Sequence, residues 1–150
     1  LFGKPVSPLH GETWSKGCAI GPLIIANLTV ASHLIGSKHL PNLKGAILLF
    51  EDVGEAPYRI DRMLTQWRLS GLLKQIAGLC FGNFLNCTDS LDEEPSKAFG
   101  TEFVLRERTK DLQIPILANL PVGHCCGNAA LPEGHLAKLD ADKGTLSLLL

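Results

Sequence analysis

Hydrophobic residues gather in short runs separated by polar, glycine- and proline-rich breaks. After a turn over Pro41 to Lys44, Gly45-Ala46-Ile47-Leu48-Leu49-Phe50 contains no polar side chain. Such a run without alternation predicts a buried strand. Residues 76 to 84 predict a second buried strand, and residues 114 to 118 a short third one opened by Pro115. Between them the period changes. Ile60, Met63, Leu64, Trp67 and Leu72 mark the apolar face of a helix that Pro57 would start and that runs to about Leu73. Asn27 can cap a helix to about Leu34, with Leu28, Ala31 and Ile35 at helical spacing and Gly36 as its stop. Thr101 can cap another to about Asp111, with Phe103, Val104 and Leu105 partly buried.

The remaining segments are read from turn chemistry. Residues 1 to 16 carry Pro, Gly, Ser and His and predict a loop or linker. Residues 17 to 25 predict a short strand bent at Gly21-Pro22, and residues 86 to 97 a polar, acidic surface loop. Residues 135 to 140 and 145 to 150 flank Asp142-Lys143-Gly144, a hairpin signal. Strands that alternate with helices and then finish in a hairpin predict a single α/β domain with a mixed sheet.

Composition narrows the function classes. The 150 residues, 45% hydrophobic and 19% charged, fit one globular domain. A net charge of −1 argues against a nucleic-acid partner, which calls for a basic patch. No apolar stretch reaches the roughly 18 residues of a membrane span. Five cysteines, an odd count, do not read as a disulfide framework. Cys18 and Cys80 lie in apolar runs and predict small core residues. Cys125-Cys126 lacks the spacer of a zinc site, so no metal is expected. The chain starts at Leu1 rather than Met, which suggests a piece of something longer.

Two strand ends carry the chemistry. The first buried run passes directly into Glu51-Asp52-Val53-Gly54-Glu55-Ala56-Pro57-Tyr58-Arg59-Ile60-Asp61-Arg62, and the third is followed by Asn119-Leu120-Pro121-Val122-Gly123-His124. Strand ends of this kind are where α/β proteins place ligands. A histidine oriented by a carboxylate is two-thirds of a hydrolytic triad. Glu51 is equally readable as a solvated strand end or a partner for Arg59 or Arg62, and His124 as a loop histidine bonded to backbone. Asp52 and Glu55 suit structural roles, including capping the next helix. Arg59 and Arg62 stand one turn apart near a helix start, where the dipole offers cations nothing, so their partners are expected to be Glu51, Glu55 or a ligand carboxylate. His10, His33, His39 and His135 have no such context. No serine lies in a Gly-x-Ser-x-Gly elbow, and no glycine-rich phosphate loop is present.

Taken together, Gly17-Cys18-Ala19-Ile20-Gly21-Pro22-Leu23 with Asn27-Leu28, the block from Leu43 through Glu51 to Leu64, Val104-Leu105-Arg106-Glu107-Arg108, Ile114-Pro115-Ile116-Leu117, Leu120 to His124, and Ala130-Leu131-Pro132-Glu133-Gly134 resemble the C-terminal domain of LD-carboxypeptidases. That serine peptidase family includes muramoyltetrapeptide carboxypeptidase and the microcin C self-immunity protein. The resemblance implies a swivelling β/β/α domain with a barrel-like core. It implies Glu51 and His124 as triad members, and an N-terminal domain, absent here, that supplies the serine. The chain would be the Glu- and His-supplying half of an enzyme that releases terminal D-alanine from murein tetrapeptide in cytoplasmic cell-wall recycling. No metal or organic cofactor is implied, and a homodimer is left open. Tyr58, Arg59, Arg62 and Asn27 are the expected substrate-binding residues. Two other readings stay open: a non-catalytic peptide-binding or assembly module on the same fold, and a hydrolase of microcin-C-like aminoacyl nucleotides.

Overall fold

The computed structural model describes residues 7–88 and 100–149. The three buried runs form parallel strands β4 (Ile47–Val53), β5 (Gly78–Leu85) and β6 (Ile116–Ala118), alongside the longer β3 (Cys18–Asn27). These four lie side by side in the order β3-β4-β5-β6. Helices α1 (Leu28–His33), α2 (Pro57–Leu69) and α3 (Thr101–Thr109) make the crossovers. The chain returns antiparallel through β7 (Leu136–Asp140) and β8 (Thr145–Leu148), the expected hairpin, and is completed by β1 (Leu9–His10) and β2 (Glu12–Ser15).

The full order, β1-β8-β7-β3-β4-β5-β6-β2, puts β1 and β2 at opposite edges. Only Gly11 separates them in sequence. The sheet must therefore curl until its edges meet, and this nearly closes a mixed barrel. Gly11 N donates to Gly144 O at 3.0 Å and Thr13 Oγ1 to Ala141 O at 2.6 Å, tying the seam.

Strand alternation divides the core in two. Ile47 and Leu49 face the barrel interior with Leu23, Cys80, Leu117, Val122 and Leu139. Leu48 and Phe50 face outward to Ile60, Leu64 and Trp67 of α2 and Val104 and Leu105 of α3. Trp67 meets Phe50 edge-on at a centroid distance of 4.9 Å and donates from Nε1 to Ser32 Oγ at 3.0 Å, so its one polar atom is satisfied in the core.

Several expectations are corrected. The segment read as a loop contributes β1 and β2, whose partners Leu146, Thr145, Leu117 and Ala118 lie more than a hundred residues away in sequence. Gly21-Pro22 does not bend β3. Pro22 is the last residue paired to β7 before Leu23 begins the pairing to β4, and Gly21 lies so close to the Gly45 carbonyl that no Cβ would fit. Helix α2 ends at Leu69, because Gly71 takes φ 75° and Leu72 begins a separate turn of 3₁₀ helix. Helix α3 is capped by Gly100, with Thr101 in its first turn bonded to the Cys87 carbonyl; it ends at Thr109 and leaves Phe103 half-exposed. Cys80 is buried as expected, but Cys18, at the outer end of β3, is exposed. The acidic stretch Asp92-Glu93-Glu94-Pro95 lies outside the described residues.

Candidate active site

Alternation continues past the apolar run and decides where the acids go. Glu51 shares the inward face of Ile47 and Leu49, at the end of the barrel where the parallel strands finish. Asp52 shares the outward face of Phe50. Glu51 is 7% exposed and Asp52 2%, so both carboxyl groups need partners.

Asp52 finds its partners in α1. Its Oδ2 accepts from Thr29 N at 3.0 Å and Thr29 Oγ1 at 2.8 Å, and its Oδ1 from Asn27 Nδ2 at 2.9 Å. It thus serves the preceding helix rather than the following one. Asn27 caps α1 as expected, its Oδ1 accepting from Val30 N at 3.0 Å. Glu55 likewise leaves the next helix uncapped and pairs with Arg59 at 3.5 Å.

Glu51 finds His124. The chain leaving β6 is stitched across the end of β5: Leu120 N donates to Phe81 O at 3.1 Å and Asn83 N to Val122 O at 2.8 Å. Gly82 allows this approach, because a Cβ there would collide with the Val122 carbonyl. Gly123 then turns with φ 108°, and Asn128 Oδ1 accepts from its N–H at 3.0 Å. His124 is thereby set with Nδ1 2.7 Å from Glu51 Oε2. An ionised carboxylate only accepts, so a neutral ring bonded to it carries its proton on Nδ1 and presents the Nε2 lone pair. The histidine side chain is 54% exposed against 10% for the glutamate side chain. A buried acid thus holds an accessible base.

Beside the pair opens a cavity of about 420 Å³ lined by Ile25, Ala26, Asn27, Glu51, Val122, Gly123, His124, Asn128, Ala129, Leu131 and Glu133. Among the described residues that line it there is no serine, threonine or cysteine, so the arrangement supplies a base and its orienting acid without a nucleophile. Asn27 lines the cavity with its side chain already committed to Val30 and Asp52. Tyr58, Arg59 and Arg62 do not line it. Pro57, Ile60, Leu64 and Trp67 are the buried face of α2, which turns these three residues outward. There Arg59 Nε donates to Tyr58 Oη at 3.1 Å and Arg62 stacks 5.0 Å from the centroid of the Tyr58 ring. Glu51 is therefore the partner of neither arginine. Cys18, Asp140 and Asp142 bring three metal-ligating atoms within 4.8 Å of one another at the opposite end of β3, but Lys138 pairs with Asp140 at 3.1 Å.

The family model of the LD-carboxypeptidase C-terminal domain matches residues 20–139. The chain belongs to that family. A putative carboxypeptidase of Synechocystis sp. is 50% identical over 99% of the chain and 48% of its own length. The murein tetrapeptide carboxypeptidase of Pseudomonas aeruginosa is 34% identical over 93% of the chain and 43% of its own length. The crystal structure of muramoyltetrapeptide carboxypeptidase from Oxalobacter formigenes superposes with a TM-score of 0.83 at 30% identity, over 98% of the chain and 50% of that protein. The microcin C7 self-immunity protein MccF shares the fold at 22% identity and a TM-score of 0.78, over 93% of the chain and 40% of that protein. The chain thus spans about half the length of the curated relatives it matches. Within this LD-carboxypeptidase domain, sequence reasoning passed over Gly82, Gly123, Asn128 and Glu133 as site residues. Only the positive φ of Gly123 had a local signal, a glycine directly before the histidine.

Proposed function

We propose that this chain is the Glu- and His-supplying half of a serine LD-carboxypeptidase that releases the terminal D-alanine of murein tetrapeptide. The observation that carries the reading is the 2.7 Å contact between His124 Nδ1 and Glu51 Oε2 at a cavity whose lining, among the described residues, holds no nucleophile. In this reading the serine comes from an N-terminal half. His124 Nε2 takes the serine proton as the hydroxyl oxygen attacks the peptide carbonyl, and returns it to the departing D-alanine amine. Glu51 holds the imidazole in the productive tautomer and stabilises its charged form. Water then repeats the sequence to free the acyl group. Murein recycling would place the reaction in the cytoplasm. Among the described residues no helix is long and apolar enough to cross a membrane.

The test joins the chain to a serine-bearing N-terminal half and measures D-alanine release from an L,D-tetrapeptide. Glu51→Ala and His124→Ala should each lose about 10³- to 10⁴-fold in kcat while keeping the melting temperature. Undiminished release by either variant refutes the assignment.

A further inference from the structure

The cavity opens where β3 loses its antiparallel neighbour. β7 pairs with β3 from Cys18 to Pro22, and Leu23 extends the contact by exchanging bonds with His135 O and Gly134 N, both 2.8 Å. Beyond Leu23 the chain approaching β7 peels away. The amide of Ile25 is met by a side chain instead and donates to Glu133 Oε2 at 3.0 Å. Glu133 therefore stands where the sheet parts. It lines the cavity of Glu51 and His124 and also a neighbouring apolar groove of about 350 Å³ walled by Ile24, Val30, Leu40 and Leu43.

One backbone amide needs an acceptor, not a charge. Among the described residues no lysine, arginine or histidine lies within 4.0 Å of the Glu133 carboxylate, whereas Glu12, Glu55, Asp61, Glu102, Glu107 and Asp111 all have basic partners. Burial pushes the Glu133 carboxyl above the usual carboxylate range, opposed by the Ile25 N–H. An anion in that position gains from a cation brought by a ligand. Ile25, Ala129 and Leu131, which line the same cavity, offer apolar cover for the methylene stem of such a group.

We infer that Glu133 is a specificity residue whose carboxylate receives a primary ammonium carried on the substrate side chain beside the scissile bond. The inference rests on the murein reading and deepens it. Murein peptides carry a diamino acid ahead of the terminal D-alanine, and its distal amine is free only while the peptide is not cross-linked. The site would therefore select uncross-linked peptides.

The test is a calorimetric titration of the 150-residue chain with L-Ala-γ-D-Glu-L-Lys-D-Ala and with the same peptide acetylated on the lysine amine. Glu133→Gln serves as the variant because it keeps an acceptor for the Ile25 amide. The wild-type chain should bind the free-amine peptide about tenfold tighter, and Glu133→Gln should bind both peptides alike, at the acetylated level. Equal binding of the two peptides by the wild type, or an undiminished preference in Glu133→Gln, overturns the assignment and leaves the murein reading standing. Failure of both peptides to bind overturns the Glu133 assignment, and the murein reading is then decided by the D-alanine release of the joined protein.

Discussion

Gly123 and Glu51 touch with no room for a methyl group between them. A Cβ on Gly123 would lie 2.6 Å from Glu51 Oε2 and 2.8 Å from Glu51 Cβ, and the φ of 108° already disfavours any side chain. The same closeness that forbids a side chain brings the next residue, His124, onto the carboxylate. Gly123→Ala should therefore cost about 1–3 kcal/mol of stability and displace the imidazole. The loss of activity in the assembled enzyme should be about 100-fold or more. Thermal melts and D-alanine release check this together, and an alanine variant with full activity would mean that the Glu51–His124 contact is not what the reaction uses.

Glu51 and His124 should behave as a unit. If the carboxylate works only through the ring, Glu51→Gln should abolish most of the activity by presenting an amide that can stabilise the wrong tautomer, and adding His124→Ala should lower it little further. Nitrogen NMR of His124 gives an independent readout. The wild type should carry its proton on Nδ1 at neutral ring charge, and Glu51→Gln should shift the tautomer balance. Multiplicative losses in the double variant would argue that the two residues act separately.

Asp52 is a support one residue away from the chemistry. Its oxygens receive the Thr29 amide, the Thr29 hydroxyl, the Asn27 amide group and its own neighbour Val53 N at 2.9 Å. Asp52→Ala would leave those partly buried donors without their acceptor, at a cost of about 1–3 kcal/mol. The loss should appear as a lower urea midpoint with unchanged slope. Thr29→Val, which removes one of the donors, should cost less.

Much of this was legible because it is local. An uninterrupted apolar run followed by acids can only be a buried strand reaching the surface, and that places Glu51 and Asp52 at a strand end. Proline and asparagine marked the starts of α2 and α1 for reasons internal to each helix. What stayed hidden depends on distant partners. Leu9 and His10 are strand only because Leu146 and Thr145 lie beside them, and Gly82 matters only because Val122 crosses above it. The outward placing of Tyr58, Arg59 and Arg62 was in fact available from helical spacing. Once Ile60, Leu64 and Trp67 are buried, residues 58 and 62 fall on the opposite face.

The junction of α2 and α3 gives a pH prediction. Arg68 grips Asp111 through two bonds of 2.6 Å, Nη1 to Oδ1 and Nη2 to Oδ2, while Nη1 also donates to the Arg108 carbonyl at 2.7 Å. The guanidinium hydrogen bonds hold the Asp111 carboxyl at about 2, well below the ordinary carboxylate value. Because the folded value is depressed, the pair stabilises the protein fully above the unfolded value of about 4 and loses its effect as pH falls towards 2. The aspartate side chain is 59% exposed, so solvent screening keeps the gain under about 1 kcal/mol. The urea midpoint of the wild type should exceed that of Asp111→Asn by a small margin at neutral pH. That margin should shrink below about pH 4 and vanish only below about pH 2. A margin that persisted or grew on acidification would mean that the bidentate pair does not form in solution.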